Sequence, residues 1–210
     1  DRVDVARAGS ATREEHDLDA EASRFDDLVE DREQRRAPAI EDALAAAGRL
    51  AARTHEAFPE VTALSIDTAP YAEAGATPTQ QLAALLATGR QMLAAVTDGG
   101  LSLEAALAQV TATLTLDADI WGGVALLRAA RRCWSHLALS ADAPEGSAAL
   151  AVHTRTSNAM MTRRDPWVNL LRGTAATFAA SVGGAESMTV APFDTALGHS
   201  DGLARRMARN

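Results

Sequence analysis

The sequence predicts an α/β fold: a parallel sheet of about four strand–helix units, covered by helices and preceded by a charged N-terminal arm. Three observations predict it. Short β-rich runs alternate with longer stretches of helical period. Clusters of Gly, Pro, Ser and Asp separate the two kinds of segment. Helix-start signals recur in the loops that follow the strands. An eight-fold barrel of this class needs about 250 residues, and four units supply roughly half of one. The expectation is a partial (β/α)8 TIM-type barrel, a segment of a larger protein with two open sheet edges. A self-contained open α/β sheet is the structural alternative.

Taken in order, residues 1–36 are rich in Asp, Glu and Arg with few large apolar groups. Such a composition buries too little surface to offset ordering, which points to a mobile arm or a solvated helix. A strap around a partner subunit is its functional alternative. The barrel domain then takes 37–210. Its alanine-rich run from Ile40 to Phe58 is helical by propensity and stops at Pro59. Val61 to Ile66 reads as the first strand. Thr77-Pro78-Thr79-Gln80 has the form of a capping box that opens a long helix, closed by Gly99-Gly100. Ser102 caps a short helix through Ala108, and Val110 to Leu116 is a strand with alternating threonines. The next helix carries Ile120, Val124, Leu127, Trp134 and Leu137 on one stripe. Residues 140–147 form a loop.

The third unit begins with a short strand ending near Val152 and His153, after which Thr156, Ser157 and Asn158 open a polar loop. Asp165-Pro166 reads as a helix start, with a carboxylate for the free N–H groups and proline in the first turn. Trp167, Leu170, Leu171, Thr174, Phe178 and Val182 share one face of that helix. Gly183-Gly184 ends it, and a C-cap explains this pair better than a phosphate loop because it follows a helix. Ser187 to Val190 is the last strand, closed by Pro192, and Leu203 to Arg209 begins the last helix.

Composition narrows the function classes. All 20 basic residues are arginine and the net charge is -8, which argues against a nucleic-acid footprint. The single cysteine, Cys133, allows no internal disulfide and suits a reducing cytoplasm. No apolar run approaches the roughly 20 residues that cross a bilayer, and the first residues are too acidic for a secretory signal. Arg163, Arg164 and Arg172 are candidates for a phosphate or a partner carboxylate, or for solvated and bridging charges. His153, near a strand end, has the chemistry of a base or ligand. No second His, Cys or carboxylate cluster accompanies it in sequence, so a structural histidine is the favoured reading.

One set of residues carries a resemblance. It comprises His153 with Thr156 and Ser157, Asp165-Pro166 with Asn169 and Arg172, Gly183-Gly184 with Ser187, and Phe193-Asp194. Ala204-Arg205-Arg206 and Ala208-Arg209-Asn210 extend it downstream. Glu73-Ala74-Gly75-Ala76, Leu127-Arg128-Ala129-Ala130-Arg131 and Trp134 extend it upstream. Together they resemble the barrel domain of the methylmalonyl-CoA mutase family. The wording DPWVN and PFD looks more like the small, non-catalytic subunit of the two-chain bacterial enzymes.

The resemblance implies an assembly that isomerises methylmalonyl-CoA and succinyl-CoA by adenosylcobalamin radical chemistry. Catalytic members carry a Tyr-His pair after the first strand, where this chain has Ala69 and Pro70. An arginine near CoA is matched by Gln109. A Gln, an Asn and a Glu that hold the adenosyl group are matched by Arg155, Ala191 and Thr195. No catalytic, cofactor or metal residue is therefore expected, and none of the five histidines has an aspartate two places before it, as the family's cobalt-ligating motif requires. Ser187, Thr111 and His153 remain as weak CoA contacts. The resemblance thus implies a cytoplasmic, non-catalytic component that stabilises a catalytic large subunit, with the cofactor on that partner and acyl-CoA as its small-molecule ligand. The alternative is an active acyl-CoA mutase relative of altered substrate choice that uses His153 and Arg155.

Overall fold

The structure, a computed structural model, describes residues 39–210. The arm expected over 1–36 lies outside the described residues. Helix α1, Ile40–Ala57, runs as its alanine content suggests and buries its small face at Gly48, Ala51 and Thr54. A Cβ on Gly48 would stand 2.5 Å from the Ala95 carbonyl oxygen. Glycine there lets two helix backbones touch.

Strand β1 spans Leu64–Asp67, three residues later than the apolar run Val61–Ile66 suggests. The Val61 N–H is used in a turn, donating to Phe58 O at 2.9 Å. Ladder pairing accordingly begins at Leu64, opposite Val110. A short helix α2, Ala69–Glu73, follows in place of the loop expected before Thr77. Asp67 Oδ1 accepts the Ala69 N–H at 2.8 Å and Pro70 sits in the first turn, both of which favour a helix start.

Helix α3, Pro78–Asp98, begins with the anticipated capping box: Thr77 accepts from Gln80 N, and Gln80 Oε1 accepts from Thr77 N at 2.8 Å. Helix α4, Leu103–Ala108, is capped by Ser102, and β2 occupies Val110–Leu116 as read from sequence. Helix α5, Ile120–Ser140, buries Val124, Leu127 and Trp134 from its apolar stripe, while Ile120 and Leu137 pack at the edge of the core. Strand β3 is Ala151–Thr156, helix α6 Val168–Gly183, strand β4 Ser187–Thr189 and helix α7 Gly202–Arg209.

The four strands are parallel and lie in chain order, β1-β2-β3-β4. Right-handed crossovers that always step the same way put the long helices that link the strands on one face of the sheet. The core confirms this arrangement. Leu64, Ile66, Val110, Ala112, Leu114, Leu116 and Val152 are buried beneath the helices, and α5 packs on α3 at one side and on α6 at the other. An unclosed, singly wound sheet is consistent with part of a (β/α)8 barrel, whereas a doubly wound sheet would reverse its strand order.

Helix α6 departs from its hydrophobic pattern. The shared face of Trp167, Leu171, Phe178 and Val182 turns outward, with Leu171 73% exposed. The inward face is Gly173, Ala176, Ala179, Ala180 and Gly183. Close approach to α5 requires these small residues: a Cβ on Gly183 would meet Leu127 Cδ1 at 2.4 Å, and one on Gly123 would meet the Ala179 Cβ at 3.0 Å. The helix also starts at Val168, without a side-chain cap, so Asp165 does not play the anticipated role. The Asp165 and Pro166 carbonyls instead accept from Val168 and Asn169 in a tight turn that precedes the helix.

Candidate functional site

The sheet face away from the helices is lined with hydroxyls. Parallel register sets its side chains in three rows, because residues two apart on a strand share a face. Ser65, Thr111 and Ala151 form the row at the N-terminal end. Asp67, Thr113, His153 and Ser187 form the middle row, and Thr115, Arg155 and Thr189 the row at the C-terminal end.

His153 is the centre of this face. It occupies the third position of β3 rather than a strand end, because Thr154, Arg155 and Thr156 continue the ladder opposite Leu114, Thr115 and Leu116. Thr156 is accordingly the last strand residue and the polar loop begins at Ser157. The His153 Nδ1 lies 2.8 Å from Ser187 Oγ and its Nε2 3.0 Å from Thr189 Oγ1. A neutral imidazole offers one donor and one acceptor, and a hydroxyl can answer either, so the ring is held at both ends.

Ser187 and His153 are thus brought together, while Thr111 stands apart, one row lower on β2. Its hydroxyl donates to Leu64 O at 3.3 Å. Sequence reasoning missed Thr189, Thr113 and Ser65, the last two with hydroxyls 3.3 Å apart. The alternation of threonines in β2 and of Ser187 with Thr189 was the available signal.

Beyond the strand ends the chemistry is sparse. Ala69 is 4% exposed and Pro70 lies in the first turn of α2. The Ala191 N–H donates to Thr156 Oγ1 at 2.8 Å, and the Thr195 hydroxyl donates to Pro192 O at 2.7 Å. Gln109 is buried at the opposite end of the sheet, where its Oε1 accepts the Ala63 N–H at 3.1 Å. A cavity of about 310 Å³ opens between the α2–α3 connection and the start of α5, lined by Gly75, Gln81, Asp117, Asp119, Gly122 and Ser157.

Buried polar clamps hold this rim. Gln81 Oε1 accepts the Thr115 N–H at 3.2 Å and lies 3.0 Å from Thr68 Oγ1, while Gln81 Nε2 donates to Thr115 O at 3.3 Å. Asn169, 1% exposed, donates to Thr162 O at 2.9 Å and Phe193 O at 2.8 Å, and accepts the Thr162 N–H at 3.0 Å. Arg172 donates to Met160 O at 2.7 Å, so it fixes the same loop rather than awaiting a phosphate. Arg163 and Arg164 are exposed. Gly184 is left-handed at φ 80° as the C-cap of α6, which makes Gly183-Gly184 a helix end.

Two carboxyls are perturbed. Burial alone would raise Glu186, but the Val152 N–H and the Arg131 guanidinium, 2.9 Å away, hold it below its ordinary value. Burial likewise works against Asp194, which the Asp201 N–H, the Ser200 hydroxyl and the charge of Arg205 hold low. Among the described residues no group of three or more His, Cys, Asp or Glu is placed to hold a metal ion.

The sequence model described as methylmalonyl-CoA mutase matches residues 32–210. The chain belongs to the methylmalonyl-CoA mutase family. It is 48% identical over 166 residues to the methylmalonyl-CoA mutase small subunit of Streptomyces virginiae, covering 79% of this chain and 27% of that protein. It is 40% identical over 190 residues to the probable small subunit of Mycobacterium tuberculosis strain H37Rv, covering 88% and 30%. The Escherichia coli K12 methylmalonyl-CoA mutase is 35% identical over 154 residues, covering 73% and 22%. The chain therefore spans less than a third of the length of these curated relatives. Within the mutase family, whose reaction depends on adenosylcobalamin, the cobalt-ligating histidine follows an aspartate by two places, and no histidine of this sequence, His153 included, stands in that position. Among the described residues, no helix is long and apolar enough to cross a membrane.

Proposed function

We propose that this chain is a segment of a small-subunit-type component of an adenosylcobalamin-dependent methylmalonyl-CoA mutase, non-catalytic in itself, which stabilises a catalytic large subunit in a heterodimer. The observation that carries the reading is the strand-end rim. Radical rearrangement needs groups that position the substrate and the cofactor's reactive carbon. Ala69 and Pro70 offer no side-chain hydrogen bond or proton. Ala191 has no polar side chain, and the Thr195 hydroxyl donates to a local carbonyl.

The hydroxyl-lined face supports a residual contact with acyl-CoA. Ser187 and Thr111 carry hydroxyls suited to the amides of a pantetheine arm, His153 orients the Ser187 hydroxyl, and Gln109 is turned away from that face. With the Ser187 and Thr189 hydroxyls at its two ring nitrogens, His153 positions both side chains.

The test is association. The full-length protein is mixed with a catalytic large subunit of the family and passed over a sizing column. Co-elution as a one-to-one complex is the expected result, and separate elution at concentrations well above those of a stable heterodimer overturns the proposal.

A further inference from the structure

We infer that the outward face of α6 docks a second copy of this chain, as an antiparallel two-fold pair of helices. Trp167, Leu171, Phe178 and Val182 form one stripe there, 58%, 73%, 55% and 46% exposed. Single apolar residues are scattered over most protein surfaces, whereas a continuous stripe marks a contact. No charge interrupts it: Arg172 is the one charged residue between Trp167 and Gly184, and its guanidinium turns to Met160 O. The Thr174 hydroxyl donates to Leu170 O at 2.8 Å and the Ser181 hydroxyl to Thr177 O at 3.0 Å. Both hydroxyls on this face thus have acceptors within the helix, which lowers the cost of taking them out of water. Trp167 is stacked on Phe193 with ring centroids 4.7 Å apart, so the largest anchor is preorganised.

The spacing selects the partner. In a two-fold interface the same patch meets itself, and every contact of residue i with j recurs as j with i. Trp167 with Val182 and Leu171 with Phe178 are two pairs centred on one point, between Thr174 and Ala175. Laid antiparallel about that point, each aromatic ring meets an aliphatic side chain, and small residues sit on the axis where two helices approach most closely. A parallel pair would set Trp167 on Trp167 at one end and Val182 on Val182 at the other, a wedge rather than an even seam. The four side chains leave roughly 500 Å² exposed on each copy. The pair therefore covers about 1,000 Å², the lower end of specific interfaces, which makes the association weak and concentration-dependent.

This pairing goes beyond the heterodimer reading and is independent of it: a protein that binds a large subunit but not itself contradicts the pairing alone. Sedimentation velocity of the full-length protein, from micromolar to near-millimolar concentration, should show monomer giving way to dimer. Leu171→Asp puts a carboxylate into the seam twice and should raise the dissociation constant at least about tenfold, with an unchanged circular dichroism spectrum. In dilute unfolding assays the pair is apart, so chain stability does not read this seam. The direction of the helices is read by disulfide formation in a Cys133→Ser background. On oxidation Thr174→Cys should cross-link to its own copy, and Trp167→Cys to Val182→Cys rather than to itself. The inference is overturned if the protein stays monomeric throughout, if Leu171→Asp dimerises like the wild type, or if Trp167→Cys joins itself as readily as Val182→Cys.

Discussion

Replacing Asn169 by alanine tests how the strand-end rim is held. The side chain makes three bonds at 2.8–3.0 Å, joining Thr162 at both its N–H and C=O to Phe193 O. All of this is anchored on the first turn of α6, at a residue 1% exposed. A hydrogen bond contributes about 1 kcal/mol net, and leaving its buried partner unsatisfied raises that cost. Three bonds give about 3 kcal/mol. For a domain of this size each kcal/mol lowers the melting temperature by about 2–4 °C, so a fall of about 6–12 °C is expected. Urea and thermal unfolding of wild type and Asn169→Ala read this directly. Asn169→Asp sharpens the test, because a carboxylate keeps the Thr162 N–H but faces two carbonyl oxygens. Its deficit should shrink on acidification, when the neutral acid regains one donor. A loss below about 1 kcal/mol in Asn169→Ala would refute the clamp.

Three further outcomes follow from the same geometry. Gly183→Ala drives a methyl to within 2.4 Å of Leu127 Cδ1 and should cost about 1–3 kcal/mol in urea unfolding, whereas a neutral effect would deny the close α5–α6 contact. Leu171→Gln, on the outward face of α6, should leave the stability of the chain within about 0.5 kcal/mol, and a large loss would mean that face is packed within the chain. Glu186 is held below its ordinary value of 4.5, so its stabilisation is present above that pH and lost as pH falls through the lower folded-state value. Wild type should therefore melt above Glu186→Gln at neutral pH and converge with it in acid. A gap independent of pH would show that the carboxylate charge contributes nothing.

Local signals in the sequence carried much of the fold. The capping box at Thr77 and Gln80 and the alternation in Val110–Leu116 each specify an element through its own residues, and both elements stand where those residues place them. Beta-strand β1 shifted because the Val61 N–H is spent in a turn, which hydropathy does not register. The outward face of α6 escaped for a related reason. Apolar periodicity reports a stripe, but the side that packs here was chosen by glycine and alanine, which carry little hydrophobic signal and allow close approach. The site was legible in part. His153 and Ser187 stood out in the chain, yet their contact, and the role of Thr189, depend on the register of two strands separated by a helix. Asn169 stood out in the sequence only as part of the family resemblance and Gln81 not at all, and only tertiary structure gives them backbone partners.

The proposed non-catalytic role rests on a strand-end rim that has Ala69, Pro70 and Ala191 where the resemblance calls for polar groups. The most direct measurement is succinyl-CoA formation by the full-length protein alone, supplied with adenosylcobalamin and methylmalonyl-CoA. No turnover above the cofactor-free control is expected, and sustained conversion without a large subunit would contradict a non-catalytic role.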